Sequence, residues 1–106
     1  MLSKKKRLDK NTFKTIMEKG SISSSSFFVL HYIKGGSPQY AFVAPKKIAK
    51  TAIKRNSLRR NGYNILRFYE LKSNKGIFFY KKEAMTTPVA ELKKDVDFLL
   101  KKSKII

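Results

Sequence analysis

The sequence contains no cysteine and no tryptophan, and acidic residues are scarce. Without cysteine the chain forms no disulfide and offers no thiolate to zinc or to an iron–sulfur cluster. No apolar run approaches the roughly 20 residues that a membrane-spanning helix requires. The N-terminus is basic like the start of a signal peptide, but Asp9, Lys10 and Asn11 follow where an apolar segment should begin. These absences predict a protein that stays in the cytoplasm.

The charge balance is the strongest compositional feature. Lysine and arginine together number 25 against seven aspartate and glutamate residues, which gives a formal net charge of +18. Self-repulsion of this size destabilises a compact chain until counterions or a polyanion neutralise it. The composition therefore indicates a polyanionic partner, either a nucleic acid or an anionic membrane surface.

At 106 residues the chain is long enough for one modest hydrophobic core and too short for two. We predict a basic flexible arm over residues 1–8 and a single domain, the one that binds the polyanion, over residues 9–106. Hydrophobic periodicity and turn residues predict the elements in this order: a helix from Asp9 or Asn11 to about Lys19, a polar turn over Ser21–Ser26, strands at Phe27–Ile33 and Gln39–Ala44 joined by a hairpin turn, a basic helix, a strand at Ile77–Tyr80, and a last helix capped by Thr87. This order predicts an α+β fold, an α-β sandwich in which the strand after the basic helix runs parallel to the strand before it.

The stretch from Pro45 to Arg67 carries eight basic residues, and the segment between Glu18 and Glu70 contains no acidic residue. Helical spacing predicts one polar ridge with Arg55 and Arg59 and a second with Asn56, Arg60, Tyr63 and Arg67. Leu58, Ile65 and Leu66 fall on the opposite, apolar side. Arginine binds phosphate bidentately and stacks on bases, so this arginine-rich face favours RNA over a merely solvated surface.

The residues around this helix resemble those of a known family. An apolar strand end, Phe42-Val43-Ala44, is followed by Lys46-Lys47, then by Arg55-Asn56, Leu58 and Arg59-Arg60. This order is similar to the signature of the bacterial ribonuclease P protein subunit. The chain departs from the family pattern at Ser57, Gly62 and Tyr63.

The resemblance implies a fold, a function and a division of labour. The fold is similar to the second domain of ribosomal protein S5, with a left-handed helical crossover. The function is that of the protein subunit of ribonuclease P, which helps a catalytic RNA to remove the 5′ leader from precursor tRNA. Catalysis and Mg²⁺ then belong to the RNA partner, and the protein itself holds no cofactor.

The resemblance also implies two sets of binding residues. The set expected to bind the RNA subunit is Lys50, Lys54, Arg55, Asn56, Arg59, Arg60 and Arg67. The set expected to hold the precursor tRNA leader is Phe13, Met17, His31, Lys46 and Lys47. No catalytic or metal-binding residue is predicted, because the single histidine has no nucleophile or carboxylate at a meaningful spacing.

Two alternatives use the same charge differently. A ribosomal-type structural RNA-binding protein would spread its basic residues over the surface and would have no leader groove. A nonspecific DNA or membrane-surface binder needs only net charge. Neither alternative requires the order of Lys46-Lys47 and Arg55-Asn56 between a strand and a helix.

Overall fold

The computed structural model describes residues 8–36, 38–67, 69 and 74–103. The elements are α1 (Lys10–Lys19), β1 (Ser21–Ser24), β2 (Phe28–Lys34), β3 (Gln39–Val43), α2 (Ala52–Leu66), β4 (Asn74–Tyr80), a 3₁₀ helix (Lys82–Thr86) and α3 (Val89–Lys102). The predicted α+β class is confirmed. Apart from Leu8, the basic arm predicted for residues 1–8 lies outside the described residues.

Helix α1 begins and ends as its sequence predicts. The Asp9 carboxylate accepts a hydrogen bond from the Thr12 amide at 2.7 Å. This bond favours the charged carboxylate and lowers the pKa of Asp9. At the other end, the Gly20 amide donates to the Ile16 carbonyl at 2.8 Å. Ile16 is fully buried and fixes α1 to the sheet. The helix contacts strands β2 and β4.

The four strands form one mixed sheet in the order β1-β2-β4-β3. Strand β4 is antiparallel to β2 and parallel to β3, so the predicted parallel pairing is confirmed. The predicted hairpin of β2 with β3 is wrong, because β4 lies between them. The polar turn predicted for Ser21–Ser26 is also wrong in its first part, since Ser21–Ser24 pairs with β2 as an edge strand. The left-handed crossover stays a prediction.

One face of the sheet makes the main core with α2 and α3. Phe28, Phe42 and Phe78 are buried there, and the Phe42 and Phe78 rings stack at 4.8 Å. Helix α3 contributes Leu92, Val96, Leu99 and Leu100. Its start differs from the prediction, since Pro88 occupies the N-cap position and the Thr87 hydroxyl donates instead to the Glu83 carbonyl at 2.7 Å.

Helix α2 buries the predicted apolar side chains Leu58, Ile65 and Leu66. The helix continues through Gly62, which is also buried. Helical spacing predicts Tyr63 on a polar ridge, but its side chain is only 7% exposed. The reason is an edge-to-face contact with Phe42, whose ring centroid lies 5.5 Å from that of Tyr63. Two of the three departures from the family pattern, Gly62 and Tyr63, therefore lie on the core side of α2.

Candidate nucleic-acid interface

The outer side of α2 is a basic surface, which we call the basic helix face. Its members are the exposed side chains Lys50, Lys54, Asn56, Arg59, Arg60 and Arg67. The Arg59 guanidinium donates to the Asn56 side-chain oxygen. Across residues 8–36, 38–67, 69 and 74–103, none of these cations forms an ion pair with a carboxylate. Their charges are available to phosphate groups of a nucleic acid.

Arg55 has a different environment from the rest of the predicted set. Its side chain is half-buried, and one guanidinium nitrogen donates to the carbonyl oxygens of Ala49 at 3.0 Å and of Lys50 at 3.2 Å. Part of its donor capacity is therefore used within the protein. These bonds fix the loop 46–50, which connects β3 to α2, against the first turn of the helix.

We expect Arg55→Ala and Arg55→Lys to lower the free energy of unfolding by about 1–2 kcal/mol, because the fork of bonds to the Ala49 and Lys50 carbonyls is lost. Arg59→Ala, which removes an exposed arginine from the same helix, should cost less than about 0.5 kcal/mol. Urea unfolding of the three variants measures the difference. Equal losses in Arg55→Ala and Arg59→Ala would contradict the loop-fixing role.

The second candidate surface is the sheet face that lies opposite the main core. Half-buried side chains from three neighbouring strands line it: Val29 and His31 from β2, Phe79 from β4, and Val43 from β3. The register places Val29 opposite Phe79 and Phe79 opposite Val43, so these side chains form one row across the sheet. We call this row, together with His31, the groove floor.

His31 lies within the groove floor as an uncharged aromatic group. Its ring meets Phe79 edge-on, with centroids 5.2 Å apart. Partial burial lowers the pKa of His31 from its ordinary value, because it disfavours the charged ring, and so favours the neutral imidazole. A neutral imidazole beside a phenyl ring offers a stacking surface to a nucleobase.

Helix α1 borders the groove floor on one side. Phe13 is half-buried and Met17 is 44% exposed, one helical turn apart on either side of the buried Ile16. At the carboxyl ends of β3 and β4 the border is basic, with exposed Lys46 and Lys47 after β3. The sequence-predicted leader set is thus gathered around one surface.

Sequence reasoning missed several residues of this surface. Val29 and Phe79 belong to its floor. Lys81 follows β4 and donates to the Ser24 hydroxyl at 2.8 Å and to the Ser25 carbonyl at 2.6 Å. Strand alternation alone predicts Val29 on the face of His31, whereas Phe79 and Val43 can be placed on that face only once the register is known. The register itself depends on the position of β4, which the sequence did not reveal.

The two surfaces lie on opposite sides of the sheet and meet at its edge. Helix α2 packs on the core face through β3, whereas α1 packs on the groove side against β2 and β4. The loop 46–50 follows edge strand β3 and connects the two surfaces with exposed Lys46, Lys47 and Lys50. An RNA held by α2 and a strand held by the groove could therefore contact one continuous basic border.

No helix in the described ranges is long and apolar enough to span a bilayer. Within those same ranges, no cluster of three or more histidine or acidic side chains could hold a metal ion.

Comparisons with known proteins agree on one family. The family model for ribonuclease P matches residues 2–104. A structure of a Staphylococcus aureus RNase P protein mutant with defective mRNA degradation activity has a TM-score of 0.85 at 19% identity, covering 95% of this chain and 90% of that one. The RNase P protein from Thermotoga maritima has a TM-score of 0.81 at 22% identity, covering 91% and 96%. A search of curated proteins gave no significant match.

Proposed function

Because the chain belongs to the ribonuclease P protein family, we propose that it assists a catalytic RNA in removing the 5′ leader from precursor tRNA. The observation that carries this proposal is the presence of two different surfaces on one small domain: a basic helix face whose cations form no ion pair within the described ranges, and a half-buried groove floor that includes His31 and Phe79. A structural RNA binder needs only the first of them. The second suits a flexible single strand.

The basic helix face is the proposed site for the RNA subunit. Lys54, Asn56, Arg59 and Arg60 project from two turns of α2, with Lys50 and Arg67 at its ends. Guanidinium groups bind phosphate oxygens in pairs, and each neutralised phosphate releases counterions. The affinity for the RNA subunit should therefore fall steeply as salt is added.

The groove is the proposed site for the leader. Stacking of a base on an aromatic side chain contributes about 1–3 kcal/mol and tolerates any base, which suits leaders of variable sequence. Phe13, His31 and Phe79 supply the rings, Met17 supplies a polarizable apolar contact, and Lys46 and Lys47 supply charge for the leader phosphates.

The proposal assigns hydrolysis to the RNA subunit and its Mg²⁺, with the protein acting in the cytoplasm. His31 supports this assignment, because its ring meets Phe79, burial lowers its pKa, and no carboxylate within residues 8–36, 38–67, 69 and 74–103 accepts a hydrogen bond from it. The protein contributes binding and charge neutralisation rather than a reacting group.

The test is reconstitution with a bacterial ribonuclease P RNA at low magnesium. We expect the protein to accelerate cleavage strongly, and to bind precursor tRNA with a long leader more tightly than precursor tRNA with a single-nucleotide leader. In a Phe13→Ala, His31→Ala variant the leader-dependent gain in affinity should fall by about tenfold or more, since two stacking contacts are lost.

The matched control is Phe98→Ala, which removes an aromatic side chain that is 52% exposed on α3, away from the groove. Its leader dependence should equal that of the unaltered protein. Tight RNA binding without acceleration of cleavage would overturn the proposed function and leave a general structural RNA binder. Acceleration that is independent of leader length would overturn the groove assignment alone.

A further inference from the structure

A crevice of about 500 Å³ lies at the carboxyl ends of the parallel strands β3 and β4. The loop 46–50 forms one wall, and the 3₁₀ helix Lys82–Thr86 forms the other. Its lining side chains are Lys47, Ile48, Lys82, Glu83, Met85 and Thr86. The volume falls within the range of about 300–1,000 Å³ that is typical of small-ligand pockets.

Hydrogen bonds fix both walls of the crevice. In the first wall, the amides of Ile48 and Ala49 both donate to the Pro45 carbonyl, at 3.1 and 3.0 Å, and Arg55 holds the Ala49 carbonyl. In the second wall, the Lys81 amide donates at 2.8 Å to the carbonyl of Phe27, the residue before β2. The Thr87 hydroxyl closes the 3₁₀ helix through the Glu83 carbonyl. The crevice is therefore formed before any ligand arrives, which lowers the entropic cost of binding.

The lining combines three kinds of group. Ile48 and Met85 are half-buried and pack against the main core, so they offer a fixed apolar floor. Lys47 and Lys82 are exposed, and neither forms an ion pair within the described ranges. Glu83 is the single acidic side chain of the lining, and it likewise has no ion-pair partner in those ranges. An apolar floor between two cations and one carboxylate matches a nucleotide, whose flat base, negative phosphates and hydrogen-bonding edge correspond to these groups.

We propose that this crevice binds one unpaired guanine nucleotide of the leader. The base lies against Ile48 and Met85, and its flanking phosphates meet Lys47 and Lys82. The Glu83 carboxylate can only accept hydrogen bonds. Guanine presents two adjacent donors on its Watson–Crick edge, N1–H and the N2 amino group. On the same edge, adenine and cytosine each have one amino donor next to an acceptor. Uracil has a single donor between two carbonyl acceptors. Guanine is thus the base that a carboxylate can bind bidentately.

The leader is the occupant that the geometry favours. Phe79 of the groove floor lies two residues before Lys81, from which the 3₁₀ helix begins, and Val43 of the same floor lies four residues before Lys47. The exposed Lys47 follows β3 at the border of the groove floor and also lines the crevice, so the groove and the crevice meet at the carboxyl ends of β3 and β4. This inference rests on the proposed leader binding and adds a base preference at one position to it.

The test uses the intact protein and short oligouridylates that carry one guanosine, one inosine or no substitution, with affinity measured by fluorescence anisotropy. We expect the guanosine to strengthen binding by about tenfold over uridine. Inosine, which lacks the N2 amino group, should give an intermediate affinity. In Glu83→Gln the ratio of the affinities for the guanosine and the uridine oligonucleotides should fall towards one. Glu91→Gln, which makes an equal charge change at an exposed site on α3, should retain the guanosine preference.

Four results would overturn the proposal: equal binding of the three oligonucleotides, equal affinity for inosine and guanosine, a guanosine preference that survives Glu83→Gln, or a preference that Glu91→Gln abolishes as well. Weakened binding of Glu83→Gln to the RNA subunit, with no change in base preference, would assign the crevice to that RNA instead.

The two proposals can fail separately. If oligonucleotides compete with precursor tRNA leaders but show no base preference, the guanine site fails and the leader groove stands. If they do not compete, the groove assignment itself fails.

Discussion

The Arg59→Ala, Arg60→Ala variant should bind the ribonuclease P RNA on the order of 100-fold more weakly than the unaltered protein, taking about 1.5 kcal/mol for each lost charge-assisted contact. Both side chains are exposed on α2, and neither has a carboxylate partner in the described parts of the chain. The plot of log affinity against log salt concentration, which slopes downward, should also become shallower by about 2 units, one for each lost phosphate contact. Filter binding over a salt series measures both quantities.

A control with the same loss of charge separates contact from net charge. Lys94→Ala, Lys101→Ala removes two positive charges from α3, where each lysine already pairs with a carboxylate of its own helix, at 3.7 Å from Glu91 and at 2.9 Å from Asp97. This variant should lose less than about fivefold in affinity, because its effect is limited to the screened long-range field. Equal losses in the two variants would show that α2 contributes charge alone and would overturn its assignment as a specific interface.

Gly62→Ala should destabilise the protein by about 1–3 kcal/mol, although alanine is the better helix former by about 1 kcal/mol. A Cβ at position 62 would lie 2.4 Å from a Phe42 ring carbon. The Phe42 ring has little room to move, because it stacks on Phe78 and meets Phe28 and Tyr63 edge-on. Thermal and urea unfolding measure the change.

Two controls make this prediction specific. Ser57→Ala places alanine on the exposed side of the same helix and should leave stability unchanged or raise it by a few tenths of a kcal/mol. Shortening the opposing ring should relieve the clash, so the Gly62→Ala, Phe42→Leu double variant should cost less than the sum of the single changes. Stabilisation by Gly62→Ala would contradict the close approach of α2 to β3.

Local features of the sequence were sufficient for several elements. Asp9 and Gly20 mark the ends of α1, and the apolar spacing of Leu58, Ile65 and Leu66 sets the buried side of α2. The helix between β3 and β4 favours a parallel pair, because parallel neighbours need such a crossover connection. Each of these depends on contacts within a few residues or on a general property of chain connection. For the same reason the exposed positions of Arg59 and Arg60 could be predicted from helical spacing.

The resemblance to the family predicted more than local sequence patterns did, because it assigned Phe13, Met17 and His31 to one site without knowledge of the strand order. The structure places these three side chains around one sheet face. Their role in binding a leader stays a prediction. Strand alternation by itself puts Val29 on the face of His31, but it does not place Phe79 or Lys81 beside them, since that depends on the pairing of β4 with β2 and β3.

The sequence by itself determined the polyanionic partner class, the α+β class and the basic helix, because charge and periodicity are properties of the chain. Only the tertiary structure decided that β4 enters between β2 and β3, that Ser21–Ser24 becomes a strand, and that Gly62 and Tyr63 face the core. Arg55 shows the same limit, because its spacing is that of an outward arginine while its guanidinium contacts the Ala49 and Lys50 carbonyls. The physical reason is common to these cases: each is decided by contacts between segments distant in the chain or by loop geometry, and neither propensity nor spacing encodes which partner a residue meets.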